Sequence, residues 1–170
     1  MSNAKLGKRT DQRTALIRGQ VTDLFWYGKL ETTEARAKSV KRVAEKLLTV
    51  AMDTYQDTVT VKKNVIEDGK KTKEKKEVQN DGVKKLAARR KIAAYVYDKP
   101  ELRLKKETPQ AFKERTGDVN HPILEKIFNV YAPKYDKRRK EVGQGGGYLR
   151  IVRKDIRRGD VATTVELQWV

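Results

Sequence analysis

The sequence predicts a two-layer α+β fold in which a small three-stranded sheet is covered on one side by helices. Three observations carry that prediction. Apolar residues recur at helical spacing in four separate stretches, the C-terminal stretch 148–169 alternates with the two-residue period of strands, and a β-branched, lysine-rich segment interrupts the helical pattern near position 60.

Residues 1–9 have no periodicity and read as an extended basic arm, with 10–170 as a single domain. Thr10 is a candidate N-cap, and Asp11 then favours the helix dipole. Ile17, Val21, Leu24 and Phe25 form one apolar stripe, and Gly28 supplies the stop. A strand-like step, Lys29-Leu30-Glu31, leads to Thr32 and Thr33, either of which can cap the next helix. That second helix carries Val40, Val43, Ala44, Leu47, Leu48 and Ala51 on one face and Lys38, Arg42 and Lys46 on another.

The segment at about 56–80 changes character. Thr58-Val59-Thr60-Val61 and Val65-Ile66 are β-branched, Asp68-Gly69 is a turn signal, and Lys70 to Val78 can return as a second strand. Seven lysines against four acids over 58–79 suit a projecting hairpin, the alternative being an unstructured lysine-rich loop. Asp81 opens a third helix to about Tyr97, with Val83, Leu86, Ala93 and Tyr97 as its inner face. A short helix around Gln110 to Arg115 follows Pro100 and Pro109. Pro122 suits the first turn of a further helix, with Ile123, Leu124, Ile127, Phe128 and Tyr131 on one face and Pro133 as its stop. Tyr135 to Gly147 reads as a basic, glycine-rich loop. Two strands close the chain, with Leu149 and Ile151 on one face of the first and Val165, Leu167 and Trp169 on one face of the second; Arg157-Arg158-Gly159-Asp160 turns between them.

Among the 170 residues, 40 Lys and Arg outnumber 23 Asp and Glu, a formal charge of +17. Such an excess opposes compaction and calls for a large anionic partner, and nucleic acid repays neutralisation by releasing counterions. An anionic membrane surface also suits the charge, but basic residues run along most of the chain instead of one amphipathic helix. Without cysteine there are no disulfides or thiolate metal sites. The start of the chain lacks the apolar run of a signal peptide, and no stretch approaches the ~20 apolar residues that span a bilayer. These features read as a cytoplasmic chain.

The same survey argues against an enzyme. His121 is the only histidine, and it precedes Pro122 at a helix start, where a turn or capping role is expected. No Ser-His-acid spacing and no zinc-holding His/Cys set occurs, so no catalytic residue, metal, cofactor or small-molecule substrate is expected. Gly143-Gln144-Gly145-Gly146-Gly147 leads into a strand and lacks the Gly-Lys-Ser/Thr of a Walker loop. Those glycines suit either a close approach of backbone to phosphate or a hinge.

Nucleic-acid features coincide at several places. Lys5, Lys8, Arg9, Arg13 and Arg18 face one acid, Asp11, in the first 18 positions; Arg138, Arg139, Lys140, Arg150, Arg153, Lys154, Arg157 and Arg158 face Glu141 and Asp155. Arg36, Lys38 and Arg42 on the second helix and Arg89 and Arg90 on the third extend the set. Arginine's planar fork suits phosphate, and Tyr135 and Tyr148 are candidates to stack on an unpaired base. With no helix-turn-helix, zinc finger or basic zipper, and with basic residues spread over arms, loops and helices, the pattern favours folded RNA over DNA. A DNA-compacting nucleoid protein is the alternative, and an enzyme acting on RNA comes third.

Several segments resemble the bacterial large-subunit ribosomal protein L17 family. They are Lys8-Arg9-Thr10-Asp11-Gln12-Arg13, Glu31-Thr32-Thr33-Glu34-Ala35-Arg36-Ala37-Lys38, the weaker Ala87-Ala88-Arg89-Arg90, Ala132-Pro133-Lys134-Tyr135, Gly146-Gly147-Tyr148-Leu149-Arg150-Ile151 and Arg157-Arg158-Gly159-Asp160. The resemblance implies an α+β fold with a small mixed sheet and a structural role on large-subunit (23S) rRNA beside neighbouring ribosomal proteins. It places the N-terminal arm, the Thr-Thr-Glu helix start and the Gly-Gly-Tyr strand against RNA. Against that family the hairpin at about 56–80 and the stretch at about 98–119 look like insertions, whose contacts are not inherited.

Overall fold

A helix that buries an apolar stripe along its whole length must be covered by other elements, and α2 (Glu34–Met52) is that helix. Ala37, Val40, Ala44, Leu47, Leu48, Ala51 and Met52 are all buried along it. The computed structural model describes residues 4–67, 70–117 and 119–170. Around α2 lie α1 (Thr10–Tyr27), α3 (Val83–Ala93), α5 (Pro122–Lys126) with a π-helical turn (Ile127–Tyr131), and α6 (Ala132–Val142). Helix α4 (Pro109–Thr116) stands apart, capped by Thr108, whose hydroxyl accepts from the Ala111 N–H. Strands β1 (Lys29–Thr33), β4 (Leu149–Arg157) and β5 (Ala162–Trp169) form one sheet in the order β1-β5-β4. The α2 helix contacts all three of these strands, which gives the two-layer arrangement.

The sheet is antiparallel throughout, in place of the mixed sheet expected. Its connections explain this. Strands β4 and β5 are joined by a short turn, and a parallel pair would need a crossover of a dozen residues or more. Strand β1 pairs with β5 from Lys29 opposite Gln168 to Thr33 opposite Thr164, turning Leu30, Val165 and Leu167 into the core. Strands β2 (Thr58–Glu67) and β3 (Lys70–Asp81) pair antiparallel as a separate ribbon. The Asp68-Gly69 turn expected there lies outside the described residues, as do residues 1–3 of the expected arm.

Helix α1 buries Val21, Leu24 and Phe25 and ends at Gly28, whose left-handed φ of 81° lets its N–H reach the Leu24 carbonyl. Its N-cap position is held by Arg9 and not Thr10, which is already helical, and the Arg9 guanidinium pairs with Asp11 in the first turn. Thr33 takes the N-cap position of α2, though its hydroxyl makes no capping bond.

Helix α3 is turned away from the face the sequence suggested. Val83, Leu86 and Tyr97 are exposed, whereas Lys85, Ala88, Ile92 and Val96 are buried. The cause is electrostatic. The Asp57 carboxylate accepts from the Lys84 and Lys85 backbone N–H groups at 2.8 and 3.3 Å, capping α3 from the far side of the β2–β3 ribbon. Asp81 then binds Lys85 at 2.8 Å and Arg89 at 2.6 Å, and Arg89 also reaches Glu125 at 2.6 Å. Turning Val83 inward would break these ion pairs and expose their partners' charges unpaired.

Pro133 does not end its helix. The turn before it widens to π geometry, with the Ala132 N–H bonding the Ile127 carbonyl, and α6 continues to Val142. A π turn relieves the contact between a proline ring and the preceding carbonyls. The stretch expected as a loop from Tyr135 is therefore helical until Gly143, whose left-handed φ of 69° closes α6. Asp136, buried on α6, accepts from the Tyr55 hydroxyl at 3.0 Å and binds Lys140 at 2.7 Å and Arg139 at 2.8 Å. The hydrogen bond from Lys140, helped by those from Tyr55 and Arg139, holds the Asp136 carboxyl below the usual carboxylate range despite its burial.

Two predictions follow from these joints. Removing the shared cap with Asp57→Ala should lower stability by about 1 kcal/mol, the usual worth of an N-cap, measured by urea unfolding. Asp136 has its acidity raised by folding, so its contribution is complete above the unfolded value of roughly 4 and fades as pH falls through the folded value. Asp136→Asn should lower the urea midpoint near neutrality and flatten its dependence on pH below about 4.

Candidate nucleic-acid interface

The N-terminal halves of α1 and α2 border a groove of about 790 Å³. Ile17 and Val43, both half-buried on the core, form its floor, with Ala35 and Tyr95 beside them. Arg13, Lys38 and Arg42 line it, Ala4 brings the N-terminal arm to its edge, and Glu34 is the one acid. The sequence-predicted residues Arg13, Lys38 and Arg42 are thus brought together from two helices that pack on one core. Lys5, Lys8 and Arg9 are exposed on the adjoining arm. Arg36 is half-buried on α2.

Glu34 joins this groove to the C-terminal strands. Its carboxylate binds Lys38 at 2.8 Å and Arg153 of β4 at 3.6 Å, and the Lys38 hydrogen bond foremost holds it below its ordinary range. Beyond Arg153 the β4–β5 ribbon outruns β1 and carries exposed Arg157 and Arg158, while Arg150, also exposed, lies back in the three-stranded part opposite Gln168. Arg157 binds Asp160 with Nε at 2.9 Å and the second nitrogen at 2.5 Å, which lowers the Asp160 carboxyl to about 2 and stiffens the turn.

A second basic region lies at the other end of α2, roughly 28 Å along its axis by helical rise. Arg138, Arg139 and Lys140 sit on α6, with Arg139 bound to Asp53 and Asp136 at 2.8 Å each. Arg138 reaches the Gly147 carbonyl at 3.5 Å, and together with Gly145, Gly146 and Gly147 it lines a hollow of about 250 Å³.

Four predicted residues have structural work that the sequence did not reveal. Tyr148 is only 3 % exposed, with its ring 5.5 Å from that of Tyr135, itself fully buried. Neither ring is open for stacking on a base, a correction whose cause is the aromatic core they complete. Arg89 lies under Asp81, Glu125 and the Phe128 ring, and Arg18 lies over the Tyr95 ring at 5.3 Å. Arg139 is clamped as described, whereas Arg90 is exposed on the outer side of α3. Conversely, Tyr95, Thr14 and Ser39 line the groove without having been singled out. Tyr95 would have been found by extending the buried series Ala88, Ile92 and Val96 instead of the exposed one.

His121 occupies the N-cap position of α5 and faces Asp98 at 3.5 Å. Among the described residues no group of three His, Cys, Asp or Glu side chains is placed to hold a metal ion, and no helix is long and apolar enough to cross a membrane.

The family model described as Ribosomal protein L17 matches residues 16–170. A large ribosomal subunit protein bL17 of Lachnospira eligens is 37% identical over 185 residues, covering 98% of this chain and 97% of its own. Proteins of the same name from Acetivibrio thermocellus and Lactococcus lactis subsp. cremoris are each 35% identical, the first covering 98% of this chain and 97% of its own, the second spanning both chains completely. The chain belongs to the ribosomal protein L17 family.

Proposed function

We propose that this protein is an architectural component of the large ribosomal subunit that binds and stabilises folded 23S rRNA beside neighbouring ribosomal proteins, in the bacterial cytoplasm. Family membership carries the assignment to the ribosome, and the observation that supports the RNA contact is that Arg13, Lys38 and Arg42 share the α1–α2 groove, with the exposed cations of the arm at its edge and Arg153 of β4 meeting its Glu34. Lys5, Lys8, Arg9, Arg13, Arg36, Lys38, Arg42, Arg150, Arg153, Arg157 and Arg158 hold phosphates. Arg90, Arg138 and Lys140 provide contacts on the far side. Arg18, Arg89, Arg139 and Tyr148 act at one remove, by setting the positions of the elements that carry the others.

The role is one of charge and shape. Several helices and a short sheet hold cations at fixed spacing, and rRNA supplies the anionic surface that a chain of net charge +17 otherwise lacks. No bond is made or broken in such a role.

Sedimentation of a lysate in magnesium-containing buffer tests the assignment. The chain should travel with the large subunit and with whole ribosomes at near-unit stoichiometry through a moderate salt wash; accumulation with the nucleoid instead would overturn it. The triple variant Arg13→Ala, Lys38→Ala, Arg42→Ala should weaken binding of the isolated protein to rRNA fragments. It should also reduce the magnitude of the log–log salt slope by about 2 to 3, one counterion or slightly less per lost phosphate contact. An unchanged slope would remove these three residues from the interface.

A further inference from the structure

The α1–α2 groove has features that a phosphate-holding surface does not need. Its floor is apolar, made by the unburied parts of Ile17, Val43 and Tyr95. Its walls also carry hydrogen-bond acceptors. The Thr14 and Ser39 hydroxyls donate their protons to the Thr10 and Ala35 carbonyls at 2.8 and 3.1 Å, so toward a further partner each can only accept, and Glu34, paired with Lys38 and Arg153, adds a carboxylate. Acceptor oxygens and an apolar floor repel a phosphate, while the cations Arg13, Lys38 and Arg42 attract one. A ligand satisfying both must be anionic at one end and flat, apolar-faced and donor-edged at the other.

A nucleotide drawn out of its stack has that composition. Its phosphate meets the cations, its base faces rest on apolar and aromatic surface, and its amino groups and 2′-hydroxyl supply donors to the acceptors. The volume of about 790 Å³ lies within the range of sites that enclose a small ligand. The Arg18 guanidinium, which is not among the residues lining the groove, lies 5.3 Å from the centre of the Tyr95 ring and holds that ring in place. An aromatic ring stacks with bases.

We propose that the groove between α1 and α2 takes a single unstacked RNA nucleotide, its base lying over Ile17, Val43 and Tyr95 and its phosphate held by Arg13, Lys38 and Arg42. This rests on the rRNA-binding reading and sharpens it. The interface then reads a single-stranded or bulged position, and duplex backbone is bound elsewhere on the basic surface. Tyr95 contributes by stacking, so its effect is separable from that of the cations.

The test uses the full-length protein and an RNA of about twelve nucleotides, within the length range that single-strand sites cover. The RNA carries 2-aminopurine at one position and is compared with a duplex of equal phosphate number. The single strand should bind about tenfold more tightly than the duplex, against the electrostatic preference for the denser duplex charge, and its 2-aminopurine fluorescence should change on binding. Tyr95→Leu should lower single-strand affinity about tenfold, the scale of one base–aromatic stack, while leaving the salt slope and duplex affinity unaltered. Tyr95→Phe should bind as the native chain does. Unaltered duplex binding shows that the variants remain folded. If duplex and single strand bind equally, or if Tyr95→Leu and the native chain show the same preference, the nucleotide site is overturned and the backbone-binding reading stands. Failure of the native chain to bind either RNA would overturn both.

Discussion

Five aromatic rings drawn from distant parts of the chain have to meet before this fold can close. Phe25 lies in the last turn of α1, Tyr131 and Tyr135 flank the join of the π turn and α6, Tyr148 precedes β4, and Trp169 ends β5. Neighbouring ring centroids are 5.1–6.4 Å apart. Buried tyrosine and tryptophan need partners for their polar tips, and here these tips bind backbone at the ends of other elements. Tyr131 donates to the Phe25 carbonyl at 3.1 Å, Trp169 to the Leu24 carbonyl at 3.2 Å and Tyr135 to the Val170 carbonyl at 2.9 Å. The cluster therefore sets where α1 stops and how β5 lies across it. Burial pushes the Tyr135 hydroxyl up to about 12, so this joint stays neutral at any ordinary pH.

Acidic residues serve this strongly basic chain as internal connectors. Asp57 and Asp81 dock α3 to the base of the β2–β3 ribbon, Glu125 holds Arg89, and Asp136 fastens α6 beside Tyr55. On the outer face of the sheet Lys154 bridges Glu31 at 2.8 Å and Glu166 at 3.2 Å. Asp57 meets two backbone amides and each of the other carboxylates a cation of its own chain, which leaves the remaining Lys and Arg to face outward. A protein whose stability and partner binding draw on the same Lys and Arg population must divide it in this way. Arg89 and Arg139 belong to the structural share, Arg13 and Lys38 to the share facing outward.

That division limits what residue type alone conveys. Arg89 and Arg90 are adjacent and chemically identical, yet one is largely enclosed by Asp81, Glu125 and Phe128 and the other is exposed. Tyr148, beside basic residues in the chain, belongs to the core, while Tyr95, surrounded by nothing suggestive, opens onto the groove. Basic clusters in a sequence mark a class of partner. They do not separate the residues that touch it from those that hold the others in place.

The sequence by itself determined the helices α1, α2 and α5, the closing strands, the α+β class and the basic character. Each depends on local periodicity, a cap or a turn residue, and on composition, all contained in neighbouring residues. Tertiary structure decided the rotation of α3, which follows from an acid 25 residues or more upstream of the amides it caps, and the passage of the helix through Pro133, which follows from the π turn that relieves it. It also decided the groove, since Arg13 and Lys38 meet there only because Val21 and Val40 bury their two helices in one core. Ion pairs and shared cores join residues without regard to their separation along the chain, and a local pattern holds no record of them.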